Sequence, residues 1–331
     1  MSINKIAVLT SGGDAPGMNA CIRAICLACE HEGIKTLGYN HGFNGLLTQE
    51  SRNLHASDVH NLIQRGGTIL YSARCEKFKS LEGVQLAADN LDKQEVDALI
   101  IIGGNGSFLG GEHLQKVWKK PVIGVPGTID NDIAGTDFTI GFHTAIQTAV
   151  ESIDKVRDTA EAFERIFLVE VMGREAGNLA LDSAISSGSD HVLVPELFSS
   201  AAEELVGILD KLAIRKRNKT NPSHIIIVTE NLWPGGIHVL ADSLTAETGF
   251  DVRVLTLGHV QRGGSPVSKD RLLATRLGTF AVESILNGAK GMMVGESHTK
   301  PVLVGLEESR SLKKGLNSYS VDILEKITRL G

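Results

Sequence analysis

Ile6-Ala-Val-Leu-Thr10 runs straight into Ser11-Gly12-Gly13-Asp14-Ala15-Pro16-Gly17-Met18-Asn19, and an apolar pattern of helical period continues to residue 31. A short apolar run, a glycine turn and a helix are the opening of a βαβ unit. Glycines let the backbone approach a phosphate closely, and the N–H groups that begin a helix supply an anion site. The same residues also suit a plain, tight strand-to-helix turn. Gly12 and Gly17 have Walker A spacing, but Met18-Asn19 stands where that motif needs Lys-Ser or Lys-Thr, which excludes a P-loop NTPase.

Outward from this stretch the alternation repeats. Apolar runs predict strands at 6–10, 98–102, 122–125, 166–171, 192–194, 225–229, 252–257 and 292–294. Helices are predicted at 19–31, 107–117, 143–160, 201–214 and 269–287. The runs are rich in Val and Ile and do not alternate with polar residues, so the strands are parallel and covered on both faces. The fold class is therefore α/β. No internal repeat, low-complexity segment or long linker interrupts it. Ligands of such sheets bind beyond the carboxyl ends of the strands. Glycine makes up 36 of the 331 residues, above the usual share of roughly 7%. Sixteen of them fall at 12, 13, 17, 66, 67, 103, 104, 106, 110, 111, 127, 173, 177, 258, 263 and 264, after strands or beside polar residues.

Only 8 prolines accompany those glycines, and 42% of the residues are hydrophobic, which rules out a disordered or collagen-like chain. The net charge is −6, and the one dense basic run is Arg215-Lys216-Arg217 with Lys219, so no broad nucleic-acid surface is expected. The apolar run 6–9 is too short for a leader or a membrane span, which points to a cytoplasmic protein. Cys26 and Cys29 spell C-x-x-C inside a helical pattern without a second pair, so the four cysteines read as reduced thiols.

A second glycine turn, Gly103-Gly104-Asn105-Gly106-Ser107, follows the run 98–102. It misses the dinucleotide fingerprint because its third glycine, Gly110, comes one place late. The next strand also ends in Pro126-Gly127 without an acid, so nicotinamide binding loses to a mononucleotide's phosphates. Pro126-Gly127-Thr128-Ile129-Asp130-Asn131-Asp132 then places two carboxylates at i and i+2 after a buried strand, enough for a general base and a metal or substrate ligand. Asp and Asn also build ordinary turns. Arg74, Arg165, Arg174, Arg253 and Arg262 lie in glycine turns or at strand ends, and Glu230 ends the run 225–229. Two glycine phosphate loops, an acidic loop and several guanidiniums make a set suited to phosphoryl transfer.

Taken together, residues 9–20, 103–107, 126–132, Val-Glu-Val-Met-Gly-Arg (169–174) and Gly-His-Val-Gln-Arg-Gly-Gly-Ser-Pro (258–266) resemble the bacterial ATP-dependent 6-phosphofructokinases. The resemblance implies two Rossmann-like α/β/α lobes with the active site in the cleft between them: 1–138 with 252–303 binding ATP, and 139–251 with 304–331 binding fructose 6-phosphate. It implies transfer of the ATP γ-phosphoryl group to the 1-hydroxyl of fructose 6-phosphate in glycolysis, with Asp130 as general base. Thr128, Arg74, Arg174 and Gly12 would stabilise the moving charge. ATP would be held by Gly12, Arg74, Cys75, Gly104, Asn105, Gly106 and Ser107. Sugar-phosphate contacts would come from Thr128, Ile129, Asp130, Asp132, Met172, Gly173, Arg174, Glu230, His259, Val260, Gln261 and Arg262. Arg165 and Arg253 would reach in from a neighbouring subunit of a homotetramer.

The same resemblance implies Mg2+ with the ATP, held through residue 105 and Asp132, and a regulatory site for ADP or phosphoenolpyruvate carrying Arg23, Arg157, Asp190 and Lys219. Two departures qualify it. Asn105 stands where the family normally has Asp. Leu27, Ala56 and Asn221 stand where basic residues are common, so weaker or altered effector control is expected. Gly106 and Gly127 stand where pyrophosphate-using relatives carry Asp and Lys, which favours ATP. The alternatives are a pyrophosphate-dependent phosphofructokinase and a catalytically weak regulatory paralogue, the latter suggested by Asn105 alone.

Overall fold

The opening run folds as strand β1, Lys5–Ser11, and the helix Met18–His31 follows its glycine turn. The structure, a computed structural model, describes residues 3–218 and 223–328. Among the described residues the further strands are β2 Lys35–Tyr39, β3 Ser51–Leu54, β4 Ala98–Gly103, β5 Val122–Pro126, β6 Ile166–Val171, β7 His191–Leu193, β8 His224–Thr229, β9 Val252–Thr256, β10 Met292–Ser297 and β11 Lys300–Gly305. They form one sheet in the order β11-β10-β5-β4-β1-β2-β3 and another in the order β7-β8-β6-β9. The second sheet is parallel throughout. The first is parallel except at its ends, where β3 and β11 pair antiparallel with β2 and β10.

Double burial explains the unbroken apolar runs. On β6, Ile166 and Leu168 join one core with Ile226 and Val228 of β8, while Phe167, Val169 and Val171 join another with Ile225 and Ile227. All eight predicted strands and all five predicted helices form. The strands β2, β3 and β11 were not foreseen: Lys35–Tyr39 and Ser51–Leu54, at or near a sheet edge, lack a continuous apolar run, whereas Lys300–Gly305 carries the short run Val302-Leu303-Val304. In the first sheet's layer the helices Met18–His31 and Ser268–Leu286 approach so closely that a Cβ on Gly278 would lie 2.9 Å from the Cβ of Ala24.

The chain divides into two compact units: residues to Ile129 with Ile133–Thr144 and Arg262–Lys314, and Asp130–Asp132 with Ala145–Gln261 and residues from Gly315. These bounds differ from the expected 1–138 with 252–303 and 139–251 with 304–331. Strand β9 pairs with β6, which draws 252–261 into the second unit. Strand β11 pairs with β10, which keeps 304–314 in the first. Residues 139–144 stay in the first unit because the buried Asp270 carboxylate accepts the Gly141 and Thr144 N–H groups at 3.0 and 2.7 Å. No helix among the described residues is long and apolar enough to cross a membrane.

Candidate active site

Strands β1, β4 and β5 are neighbours in register, with Ser11 opposite Gly103 and Gly103 opposite Pro126. Their carboxyl-terminal loops therefore emerge side by side, and these are the three loops singled out from the sequence. Gly12 turns with φ +87° and Gly17 with φ +112°, conformations glycine adopts without a Cβ penalty. The Ser107 hydroxyl donates to the Ser11 carbonyl at 3.0 Å and so ties the second glycine turn to the first. Gly103 allows that approach, since a Cβ there would lie 2.5 Å from Ser107 Oγ and 2.6 Å from the Ser11 oxygen. The Gly127 N–H donates to the Gly103 carbonyl at 3.0 Å, joining the third loop to the second.

Gly104 is the cap residue of the helix Asn105–Val117, so the early N–H groups of that helix and the positive end of its dipole lie at this loop. Gly106 is exposed, and nothing lies within 4 Å of a Cβ built on it. Gly127 is the opposite case, with Ile102 Cγ2 at 3.0 Å and Met18 Cε at 3.3 Å from such a Cβ. The buried Thr128 is backed by Thr139, whose hydroxyl donates to the Thr128 carbonyl at 2.6 Å. Ile129 has a fully buried side chain, which leaves its backbone for any ligand contact. The chain then passes into the second unit at Asp130, which is buried, and Asp132, which is half-buried.

The 68–75 segment is drawn onto β1. Thr10 Oγ1 donates to the Tyr71 carbonyl at 2.7 Å, and Ser72 Oγ donates to the Gly12 carbonyl at 2.6 Å. These bonds hold the exposed Arg74 and half-buried Cys75 near the Gly12 turn. Asn19 grips the same segment, accepting the Ile69 N–H at 2.7 Å and donating to the Gly66 carbonyl at 2.9 Å. Arg262 also belongs to the first unit, where Nη1 donates to the Asp14 carbonyl at 3.1 Å across the space Gly13 leaves open.

In the second unit Met172-Gly173-Arg174 follows β6 and Glu230 follows β8, two paired strands. Glu230 Oε1 accepts the N–H groups of Gly173 and Arg174 at 3.3 and 3.1 Å. His259, Val260 and Gln261 come after β9, next to β6 on its other side, so all these residues lie at the carboxyl ends of one sheet. Arg165 and Arg253 do not. They sit at the amino ends of β6 and β9, roughly 15 Å away for strands of this length. Asp251 brings these two together, with Oδ2 at 2.6 Å from Arg165 Nε and Oδ1 at 2.9 Å from Arg253 Nε. Burial raises the Asp251 carboxyl, but the two guanidiniums outweigh it and hold it below its usual range.

Of the residues expected at a regulatory site, Arg157 donates to the Ser187 and Gly188 carbonyls at 2.7 and 3.2 Å, close in sequence to Asp190, which accepts the Ile225 N–H at 2.7 Å. Arg23 lies on the helix Met18–His31 of the first unit. Lys219 and Asn221 lie outside the described residues. The four cysteines are free, and burial pushes the Cys26 and Cys29 thiols up to about 11 and about 12, which keeps both protonated at neutral pH.

Among the described residues no group of three or more His, Cys, Asp or Glu side chains could hold a metal by itself. Asn105 and Asp132 offer hard oxygens. Each is the kind of oxygen that a small dication arriving on polyphosphate takes from a protein. Reasoning from sequence missed Asn19, Ser72, Thr139 and Asp270, which act through backbone contacts. Asp270 lies in the first turn of the helix Ser268–Leu286, where an acid is common; burial raises its carboxyl, against the hydrogen bonds from Thr144 and Gly141.

A family model described as Phosphofructokinase matches residues 5–285. The chain is 44% identical over 328 residues to the ATP-dependent 6-phosphofructokinase 2 of Bacteroides thetaiotaomicron, covering 99% of each chain. It is 46% identical over 317 residues to the ATP-dependent 6-phosphofructokinase of Brevibacillus brevis, covering 95% of this chain and 96% of the other. A solved phosphofructokinase from Saccharomyces cerevisiae matches with a TM-score of 0.88 and 34% identity over 98% of this chain. This chain spans 47% of that yeast chain, about half its length.

Proposed function

This chain belongs to the phosphofructokinase family, and we infer that it transfers the γ-phosphoryl group of ATP to the 1-hydroxyl of fructose 6-phosphate, a step of glycolysis. The observation that carries this reading is the register of β1, β4 and β5, which sets two glycine phosphate loops beside the loop leading through Thr128 to Asp130.

Phosphoryl transfer needs mainly positioning and charge neutralisation. The Gly12 turn, the start of the helix Asn105–Val117 with Gly104, Gly106 and Ser107, and Arg74 with Cys75 receive the nucleotide. Asp130 accepts the proton of the attacking hydroxyl, after which the hydroxyl oxygen bonds to the γ-phosphorus as ADP departs. Thr128, Arg174, Arg74 and the Gly12 backbone balance the charge on the moving group. Glu230, Met172, Gly173, His259, Val260 and Arg262 surround the sugar phosphate, with backbone contacts from Ile129. When bound, the divalent ion that ATP-dependent kinases in general require neutralises phosphate charge, and Asn105 and Asp132 are the side chains that would hold it.

Arg165 and Arg253 lie at the opposite sheet end from Arg174 and Glu230, which favours their serving a second copy of the chain in a cytoplasmic homotetramer. ADP or phosphoenolpyruvate would act at Arg23, Arg157, Asp190 and Lys219, weakly given Leu27, Ala56 and Asn221. The test is transfer of label from γ-labelled ATP to fructose 6-phosphate by the wild type and by Asp130→Asn. Label in fructose 1,6-bisphosphate, lost in the variant, supports the reading; equal transfer by both removes Asp130 from the chemistry.

A further inference from the structure

Gln261 is 0% exposed, although its neighbours His259 and Val260 are exposed and Arg262 is half-buried. A side chain with no accessible surface has no face to offer a ligand. Its Oε1 instead accepts the Met172 N–H at 2.9 Å, a contact made across 89 residues of chain. That donor fixes which amide atom faces Met172, because only the oxygen can accept. The Nε2 group points elsewhere and has no hydrogen-bond partner among the described residues.

The clamp on this turn is double. Glu230 takes the N–H groups of Gly173 and Arg174, so three consecutive backbone donors are held by two side chains from other strand ends. The held turn is also one the chain does not adopt freely. Arg174 has φ +55°, in the left-handed region that a side chain disfavours. At Gly173, with φ +154°, a Cβ would lie 2.5 Å from the Ala176 carbonyl oxygen. Strain of this kind persists only where surrounding groups over-determine the conformation.

We propose that Gln261 is a positioning residue: by holding the Met172 backbone it keeps Arg174 in its left-handed conformation, aimed at the sugar phosphate, and it does not touch the substrate. The proposal rests on the reading of this chain as a fructose 6-phosphate kinase.

Two variants separate positioning from contact. Gln261→Met keeps the side-chain length and removes the acceptor, whereas Gln261→Glu keeps an oxygen acceptor, its carboxyl held protonated by burial, and removes the amide donor. In Gln261→Met, kcat/KM for fructose 6-phosphate falls about 10- to 100-fold, as misplacement of a contact group by around 1 Å would cause, while KM for ATP stays within about twofold. Gln261→Glu recovers to within about fivefold of wild type, since the Met172 N–H keeps its partner. A direct contact of the Gln261 amide with the anionic sugar phosphate makes Gln261→Glu lose at least as much as Gln261→Met and overturns the proposal, as do wild-type kinetics in Gln261→Met. Amide exchange reads the clamp without any substrate: uptake at Met172 rises about tenfold or more in Gln261→Met and stays at the wild-type level in Gln261→Glu. Unchanged exchange in Gln261→Met overturns the clamp even in a protein that phosphorylates no sugar, which separates its failure from failure of the activity. If Gln261→Met yields no folded protein, Gln261→Asn, one methylene too short to reach Met172, is read by the same two measurements with the same expectations.

Discussion

Gly103 and Gly106 stand three residues apart in one glycine loop, and alanine at the two positions has opposite expected effects on stability. At Gly103 the new Cβ would lie 2.5 Å from Ser107 Oγ, 2.8 Å from Ser107 Cβ and 2.6 Å from the Ser11 carbonyl oxygen. Ser107 can turn away, but the Ser11 oxygen is backbone in the middle of a sheet, so the two loops must part by close to 1 Å. Overpacking of that kind costs about 1–3 kcal/mol. Loss of the buried Ser107–Ser11 hydrogen bond adds about 1 kcal/mol. For a chain of 331 residues a total of about 2–4 kcal/mol corresponds to a fall in Tm of roughly 3–6 °C. At Gly106 nothing lies within 4 Å, and the residue is in the first turn of a helix, where replacing Gly by Ala gains up to about 1 kcal/mol. Gly106→Ala is therefore as stable as wild type or slightly more so, yet its methyl enters the space proposed for the nucleotide. We expect KM for ATP to rise about tenfold and KM for fructose 6-phosphate to hold in Gly106→Ala, with kcat/KM for ATP falling about 100-fold in Gly103→Ala. Thermal melts and two-substrate kinetics on both variants decide it. A wild-type Tm in Gly103→Ala, or a wild-type KM for ATP in Gly106→Ala, refutes the reasoning.

Asp130→Asn lowers kcat by about 100- to 10,000-fold, the range for removal of a general base, with Tm nearly unchanged; steady-state kinetics and a melt check both parts. Asn105→Asp restores a charged oxygen for the dication, so half-saturation in a magnesium titration shifts to a severalfold lower concentration; an unchanged requirement contradicts the role given to residue 105. Acid stability follows from two half-buried histidines. Burial, aided by Lys269, lowers His143 to about 4, and burial, aided by Lys211, lowers His191 to about 3. Both fall below the unfolded value of about 6.5, so their contribution is complete above that pH and is lost as pH falls toward about 4 and about 3, at up to about 1.4 kcal/mol per pH unit for each group. Denaturant melts from pH 7 to 5 should follow that slope, and a flat profile would contradict it.

The strands and glycine turns could be read from sequence because a strand buried on both faces must be apolar throughout, and a left-handed turn or close backbone approach calls for glycine. Long-range pairing leaves no such local mark. Nothing in residues 252–256 tells that they join Ile166–Val171, and that pairing is what moved the expected lobe boundary. The separation of Arg165 from Arg174 is different, because the predicted strand 166–171 between them already sets them at opposite strand ends. Gln261 sits inside a motif that reads as ligand-binding, and its burial alone distinguishes it from His259 and Val260. Asp270, Thr139 and Asn19 support the loops through backbone groups, and backbone partners carry no residue-type signature.

The central claim is that this chain phosphorylates fructose 6-phosphate with ATP as donor. The most direct measurement supplies purified protein with fructose 6-phosphate, magnesium and either ATP or pyrophosphate, and quantifies fructose 1,6-bisphosphate. Product with ATP, and little or none with pyrophosphate, is the predicted result. Product chiefly with pyrophosphate would contradict the reading of Gly106 and Gly127, and no product with either donor would contradict the activity itself.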